Sequence, residues 1–162
     1  MASGASGETK IPPCLNQISV GNHPAAAGQP PFNRMSFTFT TAFPSYRFGF
    51  VSDLVGDGSG QVIPLDGQGV LKIVFTQAQA HDADGTSSTI SQPPHHIGYP
   101  LMTDFAQAGD FEGVLTYGIG ITRAVTHPSP QYKVRAYEIA KVTATGQHLY
   151  VVAIDIDAGN PA

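Results

Sequence analysis

The chain has 162 residues, 41% of them hydrophobic and only 12% charged, with eight Lys and Arg against twelve Asp and Glu and a formal charge of −4. That size and balance make one globular domain with room for a core, and the scattered basic residues argue against a nucleic-acid partner. The single cysteine, Cys14, excludes an internal disulfide and a zinc site built from several cysteines, and no apolar run is long enough to span a membrane.

Residues 1 to 31 read as a leader rich in Gly, Ala, Pro and Ser, and Ala25 to Pro31 as a linker. Met1 to Lys10 lacks the apolar centre of a signal peptide. The leader is either a flexible tail or, through Leu15, Ile18 and Val20, an extra strand along a sheet edge.

The ordered domain is expected to begin near Phe32 and run to residue 157, with a short tail over 158–162. Met35, Phe37 and Phe39 alternate with Ser36, Thr38 and Thr40, the two-residue period of a half-buried strand. Tyr46, Phe48 and Phe50 repeat the pattern after Pro44-Ser45, so the two runs read as a hairpin. Asp57-Gly58-Ser59-Gly60 is a turn. A short run follows from Gln61 to Leu65. The stretch from Gly69 to Ala80 is apolar on both faces, which places it centrally in a sheet.

Gln79 to Gly98 is a long irregular segment, and Leu101 to Ala108 is a strand or a single helical turn. From Gly109 a turn leads into a long strand in which Leu115, Tyr117, Ile119 and Ile121 share one face. A Pro-rich loop at His127 to Pro130, a strand at Tyr132 to Ile139 and a last strand at His148 to Asp157 complete the chain. Short strands between Gly and Pro turns predict an all-β protein: an antiparallel sandwich or flattened barrel of about seven to nine strands.

These pieces, in order, resemble the AMIN-like domain of actinobacterial envelope lipoproteins. They are Phe37-Thr38-Phe39, Pro44 to Phe48, Asp57 to Gly60, Gly69 to Ile73, the Asp-rich stretch at Asp82, Gly109 to Ile121, Tyr132 to Val134 and Leu149 to Asp155. The run Asp110-Phe111-Glu112-Gly113-Val114-Leu115-Thr116 is the most specific, and the resemblance covers residues 32 to 156. It implies a β-sandwich and kinship with the AMIN domains that help place cell-wall amidases and pilus secretins through peptidoglycan. The chain departs from the family pattern where Tyr117 stands in place of a Trp. The lipid-bearing cysteine of such lipoproteins follows an apolar leader, whereas Cys14 follows Lys10-Ile11-Pro12-Pro13.

Three groups of residues could carry chemistry. His81, Asp82 and Asp84 are weak metal-ligand candidates, since a complete calcium loop is missing and the adjacent His95 and His96 point to opposite sides of an extended chain. Asp110 and Glu112 would share a strand face as an acid–base pair, unless Asp110 caps the turn at Gly109. Aromatic side chains, foremost Tyr46, Tyr117 and Tyr132, together with Glu112, are the candidate ligand-binding residues, because sugar rings stack on such faces. Gly118 and Gly120 lie inside a strand without a following helix, which excludes a phosphate loop and marks a bend or a close approach.

The expectation is a non-catalytic binding module, secreted or associated with the cell envelope, without a cofactor. Its ligand would be peptidoglycan, another glycan or an envelope protein. A small barrel enzyme or carrier enclosing an apolar molecule, and a self-assembling homo-oligomer drawn together by low-charge faces, are the alternatives.

Overall fold

The computed structural model describes residues 12–28, 30–122 and 133–157. Every regular element among them is a strand. In chain order they are β1 (Leu15–His23), β2 (Phe32–Thr40), β3 (Ser45–Val51), β4 (Leu54–Val55), β5 (Val62–Ile63), β6 (Gly69–Thr76), β7 (Met102–Phe111), β8 (Val114–Ile121), β9 (Lys133–Val142) and β10 (His148–Asp157). The all-β antiparallel class expected is found, with ten strands against about seven to nine counted in the sequence. β1 and the two-residue β4 are the additions, whereas β5 lies within the short run from Gln61 to Leu65.

Two four-stranded antiparallel sheets face each other, ordered β1-β2-β10-β9 and β3-β6-β8-β7. The arrangement is a sandwich and not a closed barrel. Its interior is filled: Phe75 lies 5.0 Å from both Phe37 and Phe39, edge to face, and Phe37 lies 5.4 Å from Tyr117. Leu71, Ile73, Leu115, Ile119, Val152, Ile154 and Ile156 complete the dry layer. A carrier built around an apolar internal cavity needs the space these side chains occupy.

Two expectations are corrected. The runs at Phe37 and Phe48 do not form a hairpin. β2 pairs with β1 and β10, β3 pairs with β6, and the link between them crosses from one sheet to the other. Thr41, with φ of 79°, and Pro44 make that corner. The ordered domain also starts before Phe32. Leu15 and Ile18 are fully buried against Phe39 and Phe37, so the edge-strand reading of this segment holds and its tail reading fails.

β8 is buried on both faces, but for different reasons. Tyr117, Ile119 and Ile121 face the core, while the outer positions Gly118 and Gly120 lie under other parts of the chain. A Cβ at Gly118 would come within 2.7 Å of the Leu54 side chain. The glycine therefore marks a close approach, and Leu54 packs with Val70 and Ala108 in a small second core. The expected Pro-rich loop at His127 to Pro130 lies outside the described residues.

Candidate functional site

β7 and β8 meet in a two-residue turn, Glu112-Gly113, with φ of 53° and 80°. Phe111 pairs with Val114 across it, the geometry of a tight hairpin with positive φ at both turn residues. Glu112 therefore sits exposed in a turn and not on a strand face. Of the two readings of Asp110 and Glu112, the shared strand face of an acid–base pair is absent, because Glu112 lies in the turn.

Asp110 has another role. β7 carries an extra residue between Gln107, which pairs with Tyr117, and Gly109, which pairs with Thr116. Without this bulge, positions 107 and 110 would point to opposite faces. With it, both pair with core-facing residues of β8, Tyr117 and Leu115. Asp110 accepts hydrogen bonds from the Ala80 amide at 3.2 Å and faces the Nδ1 of His81 at 2.8 Å. Gln107 donates its side-chain amide to the Tyr117 hydroxyl at 3.2 Å.

The irregular segment from Ala78 to Pro100 closes this flank. It runs beside β1, with bridges Cys14–Gln79 and Gln17–Ser91, then returns along β7 through His96–Asp104. Its overhang leaves an open cleft of about 620 Å³ lined by His81, His95, Phe105, Gln107, Asp110 and Tyr117, among others. Phe105 is nearly buried, Ile90 at the rim is 79% exposed, and the His95 ring lies 6.2 Å from that of Phe105. Burial, together with the charge of Asp110, pushes the Tyr117 phenol up to about 12, against the opposing hydrogen bond from Gln107. Tyr117 thus remains a neutral hydroxyl that accepts from Gln107 and keeps its proton.

The other expected site residues are dispersed. Tyr46 packs on the opposite flank, where its hydroxyl donates to Glu138 at 3.1 Å. Tyr132 lies outside the described residues. Asp82 and Asp84 hold a turn: the Asp82 amide donates to the Thr86 carbonyl, and Asp84 accepts from the Thr86 hydroxyl at 2.6 Å. Hydrogen bonds from the Thr86 hydroxyl and amide to its carboxylate lower the Asp84 pKa. Among the described residues, no three His, Cys, Asp or Glu side chains gather as metal ligands. Cys14 is half-buried inside the folded unit, its thiol directed at the carbonyls of Pro12 and His81, and burial raises its pKa.

A family model for the AMIN-like domain matches residues 14–151. The chain belongs to the AMIN-like domain family. No curated protein and no solved structure matches it. The match begins at Cys14, so β1 is part of the AMIN-like domain and not a leader in front of it. Family membership carries a general role as a non-catalytic module associated with the cell envelope. Gln107, His95 and Phe105 have no motif of their own; only the bulge in β7 and the path of the overhanging segment bring them to Tyr117.

Proposed function

We propose that this AMIN-like domain binds a cell-wall glycan, with peptidoglycan as the first ligand to test, in the cleft between β7 and the Ala78–Pro100 segment. The observation that carries this reading is the convergence of the Tyr117 hydroxyl and the Gln107 amide at the base of a cleft of about 620 Å³, beside the His81–Asp110 pair. A space of this size holds a small sugar unit. An amide, a phenol and imidazoles match the alternating donors and acceptors of sugar hydroxyls, and the exposed His95 ring, with the nearly buried Phe105 beneath it, offers a surface for the apolar face of a pyranose.

Binding without turnover agrees with the state of Asp110. Its carboxylate is already engaged by Ala80 and His81, which makes it a brace for the overhanging segment. The test is cosedimentation with insoluble peptidoglycan. Gln107→Ala and His95→Ala change exposed side chains and leave the core intact, so both should release the protein from the pellet. Retention of both variants at the parent level would refute the cleft as the binding site.

A further inference from the structure

The edges of the two sheets are finished differently. β1 contains a register shift between Leu15 and Gln17 and is flanked by the segment through Gln79 and Ser91. β7 is bulged twice and flanked by His95 and His96, with Phe105 donating to the His95 carbonyl. Both devices blunt an edge strand. β9 has neither. It pairs with β10 over ten consecutive residues, Lys133 to Val142, without a register shift, and no described segment pairs with its outer side. On an antiparallel edge, alternate residues there present unpaired N–H and C=O groups.

The side chains along this edge form a pattern. Lys133, Arg135, Tyr137, Ile139 and Lys141 share the face that looks away from the core, opposite Asp157, Asp155, Ala153, Val151 and Leu149 of β10. Tyr137 and Ile139 are 40% and 43% exposed. The two aspartates are engaged: Arg34 forks onto Asp155 at 2.6 and 2.9 Å, and Arg135 reaches Asp157 at 3.5 Å. Lys133 and Lys141 make no ion pair among the described residues. The edge therefore reads free cation, paired cation, apolar, apolar, free cation over Lys133, Arg135, Tyr137, Ile139 and Lys141, with unpaired backbone groups at alternate residues beside it.

We propose that β9 receives an extended acidic polypeptide segment by strand addition, with backbone hydrogen bonds along its outer edge, carboxylates beside Lys133 and Lys141, and apolar side chains beside Tyr137 and Ile139. Strand addition draws affinity from main-chain bonds and specificity from alternate side chains, and here the alternate positions carry both charge and apolar area. The surface lies on the flank opposite the glycan cleft, so the domain holds a polypeptide on one side while the other remains open. The inference stands independently of the glycan reading.

The probe is a short synthetic peptide in which threonine alternates with the series glutamate, valine, valine, threonine, glutamate. Titrated into isotopically labelled full-length protein, it should shift amide resonances along β9 and slow hydrogen exchange at alternate β9 amides. Affinity should fall with added salt. Lys133→Glu and Lys141→Glu should each weaken binding by about three- to tenfold, and together turn the preference toward a lysine version of the peptide. N-methylation of the peptide at every second residue should abolish binding in one phase and spare it in the other.

Equal binding of glutamate and lysine peptides, or indifference to N-methylation in both phases, overturns the proposal. So does sedimentation showing β9 buried against a second copy of the chain, with self-association lost on Lys141→Glu. Both lysines are exposed, and unchanged circular dichroism of the variants separates lost binding from lost folding.

Discussion

The Nδ1 atom of His81 lies 2.8 Å from a carboxylate oxygen of Asp110, joining the segment that overhangs the cleft to strand β7. The same carboxylate accepts the Ala80 amide, so one side chain anchors two consecutive residues of an otherwise irregular stretch. Asp110→Asn keeps the shape but weakens the charge-assisted bonds. We expect a loss of about 1–3 kcal/mol in urea unfolding, with faster native-state exchange at the Ala80 amide. Wild-type protection of that amide in the variant would remove Asp110 as the anchor.

Leu54 lies against Gly118 closely enough that no Cβ fits between them. Gly118→Ala should cost about 1–3 kcal/mol by overpacking, and Leu54→Ala, at a site only 1% exposed, about 2–5 kcal/mol. In the double variant the new methyl enters the space the leucine leaves. Its destabilisation should fall short of the sum of the single changes, and strict additivity in denaturant unfolding would contradict the packing described.

Tyr117 carries a phenol held near 12 against an ordinary value of 10.0. The folded state thus binds this proton more tightly than the unfolded chain does. The contribution is fully present below about pH 10 and is lost as pH rises toward about 12, some 2–3 kcal/mol in all. Tyr117→Phe should flatten this alkaline fall, read as stability against pH and as the loss of the latest tyrosinate absorbance step. An unchanged alkaline limb would place the perturbed phenol elsewhere.

Arg34 forks onto the nearly buried Asp155 through two nitrogens. Arg34→Lys keeps the charge but loses the fork and should cost about 1 kcal/mol, while Arg34→Met leaves the carboxylate uncompensated and should cost about 2–3 kcal/mol. Urea midpoints in that order support the pairing, and equal midpoints contradict it.

Strands whose side chains alternate cleanly are legible in the sequence. The run His148 to Asp157 is found end to end as β10, and Phe37 and Phe39 face the core as their spacing requires. The sheet to which a strand belongs is a different matter, because alternation says nothing about which neighbour it pairs with. The Phe37 and Phe48 runs were close enough for a hairpin, and a corner at Thr41 sends them to different sheets. Alternation also fails where it is interrupted. The bulge between Gln107 and Gly109 puts Gln107 and Asp110 on one face, against the period of the flanking residues. Of the expected ligand-binding residues, Tyr117 lies in the cleft, whereas Tyr46 and Glu112 were read from residue type and strand phase alone, and neither reports the fold around them.

The most direct measurement of the central claim is a nuclear magnetic resonance titration of the full chain with a soluble disaccharide–peptide fragment of peptidoglycan. The account predicts saturable shifts at His81, His95, Phe105, Gln107 and Tyr117, with β9 unmoved. Saturable binding whose shifts lie on β9 or on the outer faces of the sheets, with the cleft silent, would contradict it.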